Sequence, residues 1–219
     1  MNVLAVGAHW DDIEIACALT LRRLKRRGAR LFGAVLTDSG YRVSEDGHKR
    51  NKSVARQEGL AVFEAMGMIH QPTALLPNQE MVYDQHVMQE LENIAADRKI
   101  DLAFVHWHGD HNTDHAAAWQ ICRTAFRKVG GLLQYQSNAY FDNVSLFVPQ
   151  MFCGFGAKEY EAKKKLMKMH ASEWEYRKDR WQREVFDREQ SWGYLCGCDY
   201  AEAFMVSRMV DRDDLSFLG

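Results

Sequence analysis

The chain has 219 residues, of which 47% are hydrophobic and 26% are charged, a composition typical of globular proteins. Its formal net charge of −2 gives no electrostatic reason to expect binding to nucleic acid or to an anionic membrane surface. No basic leader precedes the first apolar run, and no stretch approaches about 18 consecutive apolar residues. We therefore expect a cytoplasmic protein that forms a single domain over residues 1–219.

The cysteines indicate a reducing compartment. They are odd in number and contain no Cys-x-x-Cys pair, which argues against a disulfide framework and against a cysteine zinc knuckle. We interpret them as buried or free thiols. Soft-metal binding by Cys196-Gly-Cys198 is the less favoured alternative. The five are Cys17, Cys122, Cys153, Cys196 and Cys198.

Apolar runs and amphipathic periods alternate along the first 135 residues. Strands are predicted at residues 3–7, 31–36, 74–76, 102–105 and 132–135, and helices at residues 13–27, 53–66, 87–97 and 114–129. A polar segment of about a dozen residues with Gly40 and Gly47 predicts a long loop after the second strand. The alternation favours a three-layer, Rossmann-like α/β fold with a mostly parallel sheet and helices on both faces.

The last third of the chain differs from the rest in composition, with clustered lysines and aromatic residues. A lysine run at residues 163–165 predicts a solvated helix face. The aromatic residues that follow are interpreted as packing or subunit contacts, so a homo-oligomer is possible. No nucleic-acid-binding motif accompanies them. They are Trp174, Trp181, Phe186 and Trp192.

The first turn that carries chemistry follows the first strand and reads His9-Trp10-Asp11-Asp12. In an open α/β sheet, the loops at the carboxyl ends of the strands form ligand sites. His9 and Asp12, three positions apart, can reach one divalent cation, which leaves the adjacent carboxylate free. The alternative is that Asp11 or Asp12 only caps the following helix, but capping does not account for both acids and a histidine.

The second turn follows the fourth predicted strand and packs four histidines and two aspartates into residues 106–115. If the two strands are neighbours, two imidazoles and one carboxylate provide a hydrolytic zinc site with a fourth position open to water. Ligands without thiolate suit Zn²⁺, and Fe²⁺, Co²⁺ or Mn²⁺ can take the same place. The metal would lower the pKa of bound water, and a neighbouring unbound carboxylate would accept its proton.

Several segments together resemble the PIG-L/LmbE-like family of zinc-dependent N-acetyl-sugar deacetylases. Residues 8–12, Ala-His-Trp-Asp-Asp, resemble the family's opening Ala-His-Pro-Asp-Asp, and residues 112–115, Asn-Thr-Asp-His, resemble its His-x-Asp-His. Residues 56–67 resemble an Arg-x-Glu helix ending in glycine, residues 170–172 a His-x-Ser element, and residues 200–204 the closing strand. The matches are spread over nearly the whole chain.

The resemblance implies a role for each matched residue. His9, Asp12 and His115 would bind zinc, and Asp11 would be the general base. Asp114 would hold a neighbouring group in place from outside the ligand set, and Arg56 would point at the polar side of the substrate. The implied reaction is hydrolysis of the N-acetyl amide of an amino sugar or sugar conjugate such as N-acetylglucosamine.

Three departures from the family pattern bear on these roles. Trp10 replaces proline, which predicts either an aromatic plate beside the sugar or a ring packed under the loop. Ala18-Leu19 replaces a glycine pair. Asn112 stands where many members have a catalytic histidine. Its amide can donate to an oxyanion but cannot carry a proton, which leaves proton delivery to Asp11 or to another group, with His111 the nearest spare imidazole.

Other functions remain open from the sequence. The same site can hydrolyse a different small amide, an ester or a carbamate, or the chain can be a catalytically silent metal-binding subunit. A dinucleotide-binding domain is disfavoured because no Gly-x-Gly-x-x-Gly follows the first strand. We expect a small-molecule partner, with neither nucleic acid nor membrane bound.

Overall fold

A central sheet organises the computed structural model, which describes residues 1–44, 46–137 and 146–210. The strands are β1 (Asn2–Gly7), β2 (Arg30–Val35), β3 (Tyr41–Arg42), β4 (Lys49–Arg50), β5 (Met68–His70), β6 (Leu102–His106), β7 (Gly131–Tyr135), β8 (Met151–Phe155) and β9 (Tyr200–Met209). Seven of them form the sheet in the order β5-β2-β1-β6-β7-β9-β8, in which β9 pairs antiparallel with both β7 and β8. The other four adjacent pairings are parallel. The predicted mostly parallel sheet is confirmed.

Helices cover both faces of this sheet. They are α1 (Asp12–Arg26), α2 (Lys52–Met66), α3 (Gln85–Asp97), α4 (Thr113–Ala125), α5 (Ala157–Lys168), α6 (Ala171–Trp181) and α7 (Arg188–Cys196), with a π-helical segment (Gln182–Asp187) between the last two. Helices α1 and α2 pack on one face, and α3 and α4 pack on the other. The three-layer α/β architecture is therefore as predicted. No helix in the described ranges is long and apolar enough to cross a membrane.

The C-terminal helices form a layer against α1 with its own core. Trp181, Phe186 and Tyr160 pack there with Ile15 and Leu19 of α1, and Trp174 packs at its edge. The packing interpretation of these aromatic side chains is confirmed. Trp192 instead contacts Arg188, whose guanidinium carbon lies 4.9 Å from the centre of the indole.

A buried group of charges joins this layer to the sheet and corrects the prediction for the lysine run. Lys163 is fully buried. Its Nζ donates to Glu189 Oε1 at 2.6 Å and to Glu202 Oε1 at 2.8 Å. We call these three residues the lysine cluster. Lys163 lies on the inner face of α5, so only its neighbours in the run remain at the surface.

Glu202 has a second task, which follows from a break in α1. The backbone of Cys17 is not helical, with φ −145° and ψ 18°, so the helix is interrupted there. The freed N–H groups of Leu19 and Thr20 donate to the two carboxylate oxygens of Glu202 at 2.9 and 2.7 Å. A carboxylate is favoured at such a helix start, since the exposed N–H groups carry partial positive charge.

Three further boundaries differ from prediction. The strand predicted at residues 74–76 is absent, with Leu76 making only an isolated bridge to Thr37. The edge strand is β5 instead, because Gly67 adopts a left-handed conformation (φ 64°) that ends α2 and turns the chain directly into it. Helix α4 ends at Ala125 rather than at residue 129, and the predicted long loop contains the short β3–β4 hairpin.

Candidate metal centre and cavity

The turns that follow β1 and β6, which carry the candidate metal ligands, lie side by side. Strand β1 ends at Gly7 and β6 at His106, and the two strands are parallel neighbours in the sheet. The turn from His9 to Asp12 leads into α1, and the turn after His106 leads into α4. Both therefore open at the carboxyl edge of the sheet, where the sequence pattern places a ligand site.

Three potential ligands meet between these turns. His9 Nδ1 lies 3.1 Å from His115 Nε2 and 3.3 Å from Asp12 Oδ2. His115 Nε2 lies 3.3 Å from Asp12 Oδ1. We call His9, Asp12 and His115 the metal triad, because one atom from each lies within 4.8 Å of the others.

The donor atoms of the triad fit a zinc ion. Zinc binds imidazole nitrogen and carboxylate oxygen at about 2.0–2.2 Å, so two ligands of a tetrahedral site lie about 3.4 Å apart. The observed separations of 3.1–3.3 Å are close to this value. Two imidazoles and a carboxylate without thiolate match Zn²⁺, Fe²⁺, Co²⁺ or Mn²⁺.

Carboxylates outside the triad hold both imidazoles. Asp110 Oδ2 lies 2.9 Å from His115 Nδ1, and Asp114 Oδ2 lies 3.0 Å from His9 Nε2. Asp114 also accepts hydrogen bonds from the backbone N–H groups of Gln79 and Met81. Such carboxylate–histidine contacts fix the ring orientation and the tautomer of a metal ligand. The structure thus places Asp114 where a supporting role requires it and adds Asp110, which the sequence analysis did not assign.

A second group of possible ligands, His106, Asp110 and His115, is less suited to catalysis. His106 is fully buried, and its Nε2 accepts a hydrogen bond from the Ala8 N–H at 2.9 Å. Burial, together with nearby His115, lowers the pKa of His106 to about 4, so its ring is neutral. Neither His106 nor Asp110 is among the described residues that line the cavity.

The electrostatics of the triad favour a bound positive charge. Burial opposes protonation of His9, but Asp12 and Asp114 outweigh it and raise the pKa of His9 to about 10. In the same way, Asp12 and Asp110 raise the pKa of His115 to about 9 against the effect of burial. Burial opposes ionisation of Asp12, yet the positive charges favoured on His115 and His9 hold the pKa of Asp12 well below its usual value. A divalent cation bound here would neutralise the negative charge of the same carboxylates that raise the pKa values of the two imidazoles.

Asp11 lies next to the triad but is held differently. It is at the N-cap position of α1, yet its side chain makes no capping hydrogen bond. Its Oδ2 instead accepts a hydrogen bond from Arg50 Nη1 at 3.2 Å. The Arg50 guanidinium is buried and also lies 3.5 Å from Glu173 Oε1 and 3.8 Å from Glu58 Oε2. Capping therefore does not explain Asp11, whose carboxylate remains available to the cavity.

The triad and Asp11 open into a cavity of about 390 Å³. Asn112 lines it and uses Oδ1 to cap α4, accepting from the Asp114 and His115 N–H groups. Its amide NH₂ remains as a donor. The outer wall belongs to the β3–β4 hairpin and α6, where the Tyr41 hydroxyl donates to Glu173 Oε1 at 2.6 Å and accepts from Arg177 Nη2 at 2.9 Å. His111 lies at the rim.

Trp10 is buried and is not among the described residues that line the cavity, which agrees with the second of the two interpretations, a ring packed under the loop. Its side chain is 1% exposed. The indole packs against Phe63 and His70, with ring centres 5.7 and 5.4 Å away. It also fills space that Gly59 leaves open, since a Cβ on Gly59 would lie 2.3 Å from the ring. The residue that replaces proline therefore packs under the loop.

Arg56, predicted to point at the substrate, lies away from the cavity. It lies on the exposed face of α2 and is not among the described residues that line the cavity. Buried Arg50, which precedes the helix, lines the cavity beside Asp11, and Arg177 and Arg180 of α6 line its outer wall. The resemblance pointed to Arg56 through the Arg-x-Glu pattern, whereas Arg50 becomes recognisable only once the hairpin brings it beside Asp11.

Comparisons with known proteins are consistent with this geometry. The PIG-L family model, described as GlcNAc-PI de-N-acetylase, matches residues 4–126, more than half of the chain. The uncharacterized deacetylase YaiS of Escherichia coli (strain K12) is 25% identical over 173 residues, which cover 78% of this chain and 91% of YaiS.

Solved structures share the whole fold at low identity. The N,N′-diacetylchitobiose deacetylase of Pyrococcus horikoshii is 16% identical, with a TM-score of 0.77 over 94% of this chain and 83% of that chain. GalB, the 4-carboxy-2-hydroxymuconate hydratase of Pseudomonas putida KT2440, is also 16% identical, with a TM-score of 0.77 over 98% and 99%. Because one of these proteins is a hydratase, the shared fold alone does not determine the reaction.

Proposed function

This chain belongs to the PIG-L family of de-N-acetylases and is an amide hydrolase, and from that premise we propose that its metal triad and Asp11 carry the reaction. The proposed substrate is the N-acetyl amide of an amino sugar or sugar conjugate. The products are a free amine and acetate.

One observation carries the proposal. His9, Asp12 and His115 bring three donor atoms to one point, and this point faces a cavity rather than the protein interior. Asp11 lines the same cavity and lies outside the ligand set. A hydrolytic site needs both features, namely an open coordination position and an unbound carboxylate within reach of water.

Each residue of the site has a distinct task in this mechanism. A bound divalent metal would lower the pKa of water and polarise the amide carbonyl. Asp11 takes the proton from the attacking water and returns it to the departing amine nitrogen, so that the proton balance closes as the C–N bond breaks. Arg50 donates a hydrogen bond to Asp11 Oδ2 and orients this carboxylate. The NH₂ of Asn112 donates to the carbonyl oxygen as it becomes negatively charged.

The cavity supports a sugar-sized substrate. Its volume of about 390 Å³ is in the range of small-molecule sites. Its lining combines the Tyr41 side chain with polar groups from Asn78, Glu173 and Arg177, which suit the hydroxyl groups of a sugar ring. N-acetylglucosamine conjugates are the first substrates to test.

We further propose zinc as the metal and the cytoplasm as the location. The nitrogen and oxygen donors of the triad support zinc, with Fe²⁺, Co²⁺ and Mn²⁺ as competitors for the same position. The five cysteines are free thiols, which supports a reducing compartment. A small molecule is the proposed partner.

The experiment is an acetate-release assay on a panel of N-acetylated amino sugars. The protein is stripped of metal and reloaded separately with each of the four ions. We expect no turnover without metal and restored turnover with zinc or a similar ion, because the proposed nucleophile is a water molecule activated by the metal.

Two controls make the result decisive. O-acetylated sugars and simple esters test whether another bond is preferred. Asp12→Ala tests whether turnover requires the triad. Full activity of metal-free protein contradicts the mechanism, and zinc binding without acetate release from any member of the panel contradicts the proposed reaction.

A further inference from the structure

Two cysteines near the C-terminus differ from the other three in their surroundings. Cys17 and Cys122 are buried and Cys153 is half-buried, whereas Cys196 and Cys198 are exposed. Burial raises the pKa of the Cys17, Cys122 and Cys153 thiols. The two exposed thiols are separated in sequence by Gly197 only.

The local backbone brings the two exposed sulfurs to one side. Cys196 is the last residue of α7, and Gly197 follows in a left-handed conformation with φ 74°, which glycine adopts without strain. The chain then turns so that the Cys198 N–H donates to the Gly193 carbonyl at 2.9 Å. The Cys198 Sγ lies 3.8 Å from the carbonyl oxygen of Cys196.

Gly154 of β8 leaves the space in which the sulfurs lie. A Cβ at this position would be 2.2 Å from the Cys198 Sγ and 3.9 Å from the Cys196 Sγ. The two sulfurs thus share one open site above the strand. Partial burial and the adjacent Cys198 thiol raise the pKa of Cys196, which agrees with close contact between the two groups.

We propose that Cys196 and Cys198 form a redox-active dithiol, oxidised to an intramolecular disulfide by low-molecular-weight disulfides of the glutathione class. The thiolate of one cysteine attacks glutathione disulfide and releases one glutathione. The second cysteine sulfur then attacks the mixed disulfide and releases the other glutathione. Two protein thiols are oxidised, one glutathione disulfide is reduced to two thiols, and the protons of the cysteines pass to the glutathiones.

The geometry also indicates that the bond is reversible. A disulfide across a single residue closes a short ring, and strained or exposed disulfides have more oxidising potentials than buried structural ones. Cys196 and Cys198 lie outside the catalytic cavity. The dithiol is therefore a modification site separate from the proposed deacetylase chemistry, and its test needs no substrate.

The test treats the full-length, metal-loaded protein with glutathione disulfide and measures intact mass and cysteine-containing peptides. We expect the wild type to lose two hydrogens, both from the peptide that carries Cys196 and Cys198, and to recover them with dithiothreitol. Cys196→Ser and Cys198→Ser should each keep one glutathione on the remaining thiol, because no second sulfur resolves the mixed disulfide. Cys153→Ser is the matched control and should behave like the wild type.

Two results overturn the proposal. One is stable glutathionylation of Cys196 or Cys198 in the wild type without the intramolecular bond. The other is persistence of both free thiols in the folded wild type under conditions that oxidise the same protein in urea. Acetate release by the Cys196→Ser/Cys198→Ser double variant should equal that of the wild type, which separates this site from the catalytic one.

Discussion

Two buried groups of charged side chains in this protein differ in how they are neutralised. The lysine cluster is closed, since Lys163 donates to Glu189 and Glu202 and Glu202 also receives two backbone N–H groups of α1. Burial outweighs the opposing effect of Lys163 and raises the pKa of Glu189 to about 7. The charged side chains of the cluster are nonetheless paired with one another inside the protein.

The metal triad is open by contrast. Four carboxylates lie on or beside its imidazoles, namely Asp11, Asp12, Asp110 and Asp114, and the site faces the cavity. Its imidazoles reach high pKa values because a positive charge is favoured there. Buried charges that are paired within the protein are often structural, whereas perturbed groups facing a cleft indicate function. The lysine cluster is therefore expected to contribute to stability, and the metal triad to activity.

Asp11→Asn should have the largest effect on activity. Asparagine is nearly isosteric but cannot accept the proton, so turnover should fall by about 10²- to 10⁴-fold while zinc content stays at the wild-type level. Acetate release and zinc per chain are measured together. Asp179→Asn, an exposed aspartate on α6, is the control. Loss of zinc from Asp11→Asn would instead make Asp11 a ligand.

Lys163→Met should have the largest effect on stability. It leaves Glu189 and Glu202 buried without their cation, which typically costs about 3–5 kcal/mol. Lys165→Met, at an exposed position of the same helix, should change the free energy of unfolding by no more than about 0.5 kcal/mol. Urea unfolding monitored by circular dichroism measures both. Equal stability of the two variants would show that the lysine cluster contributes nothing.

Asp110→Asn should weaken metal binding without abolishing it. The carboxylate that holds His115 Nδ1 at 2.9 Å becomes a neutral amide, and loss of such a partner typically lowers metal affinity about 10- to 100-fold. Competition with a chelator gives the zinc affinity. An unchanged affinity would mean that the orientation of His115 does not depend on Asp110.

Arg56→Ala should have the smallest effect, because Arg56 lies on an exposed helix face outside the cavity lining. We expect kcat/KM to change by less than about twofold, because a substitution outside the cavity lining removes no interaction with the transition state. Arg50→Gln should lower kcat/KM much more, since it removes the charge beside Asp11. The reverse ranking would restore Arg56 as the substrate-facing residue.

The regular part of the fold was predictable because its signals are local. Four of the five parallel strands of the first 135 residues, namely β1, β2, β6 and β7, are short apolar runs, whereas the edge strand β5 is not. The turns after β1 and β6 carry the triad in sequence motifs. The convergence of His9, Asp12 and His115 then follows from the sheet order. Asp110 was within reach of the same reasoning, since it shares the histidine-rich turn with His115.

The other features depend on contacts between distant segments. Lys163 has the same local pattern as its exposed neighbours, and only the approach of Glu189 and Glu202 shows that it is buried. Trp10 is buried because Gly59, far away in sequence, lacks a side chain. The β3–β4 hairpin brings Arg50 beside Asp11, and the sequence of this hairpin gives no strong strand signal. Pairings of this kind are set by tertiary packing, which periodicity does not contain.

The central claim is that the metal triad binds a divalent cation in place of protons that its imidazoles bind in the metal-free protein. Calorimetric titration of metal-free protein with Zn²⁺ in buffers of different ionisation enthalpy tests it most directly. Near pH 7 the raised pKa values of His9, about 10, and His115, about 9, favour protonation of the imidazole pair, and zinc requires both rings neutral.

Binding must therefore release protons, and zinc affinity must rise with pH by about tenfold per unit for each proton released. We predict one zinc per chain with this proton release, and loss of binding in Asp12→Ala, which lacks both a ligand and the charge that raises the two pKa values. Zinc binding without proton release, or with equal affinity in Asp12→Ala, would contradict the claim.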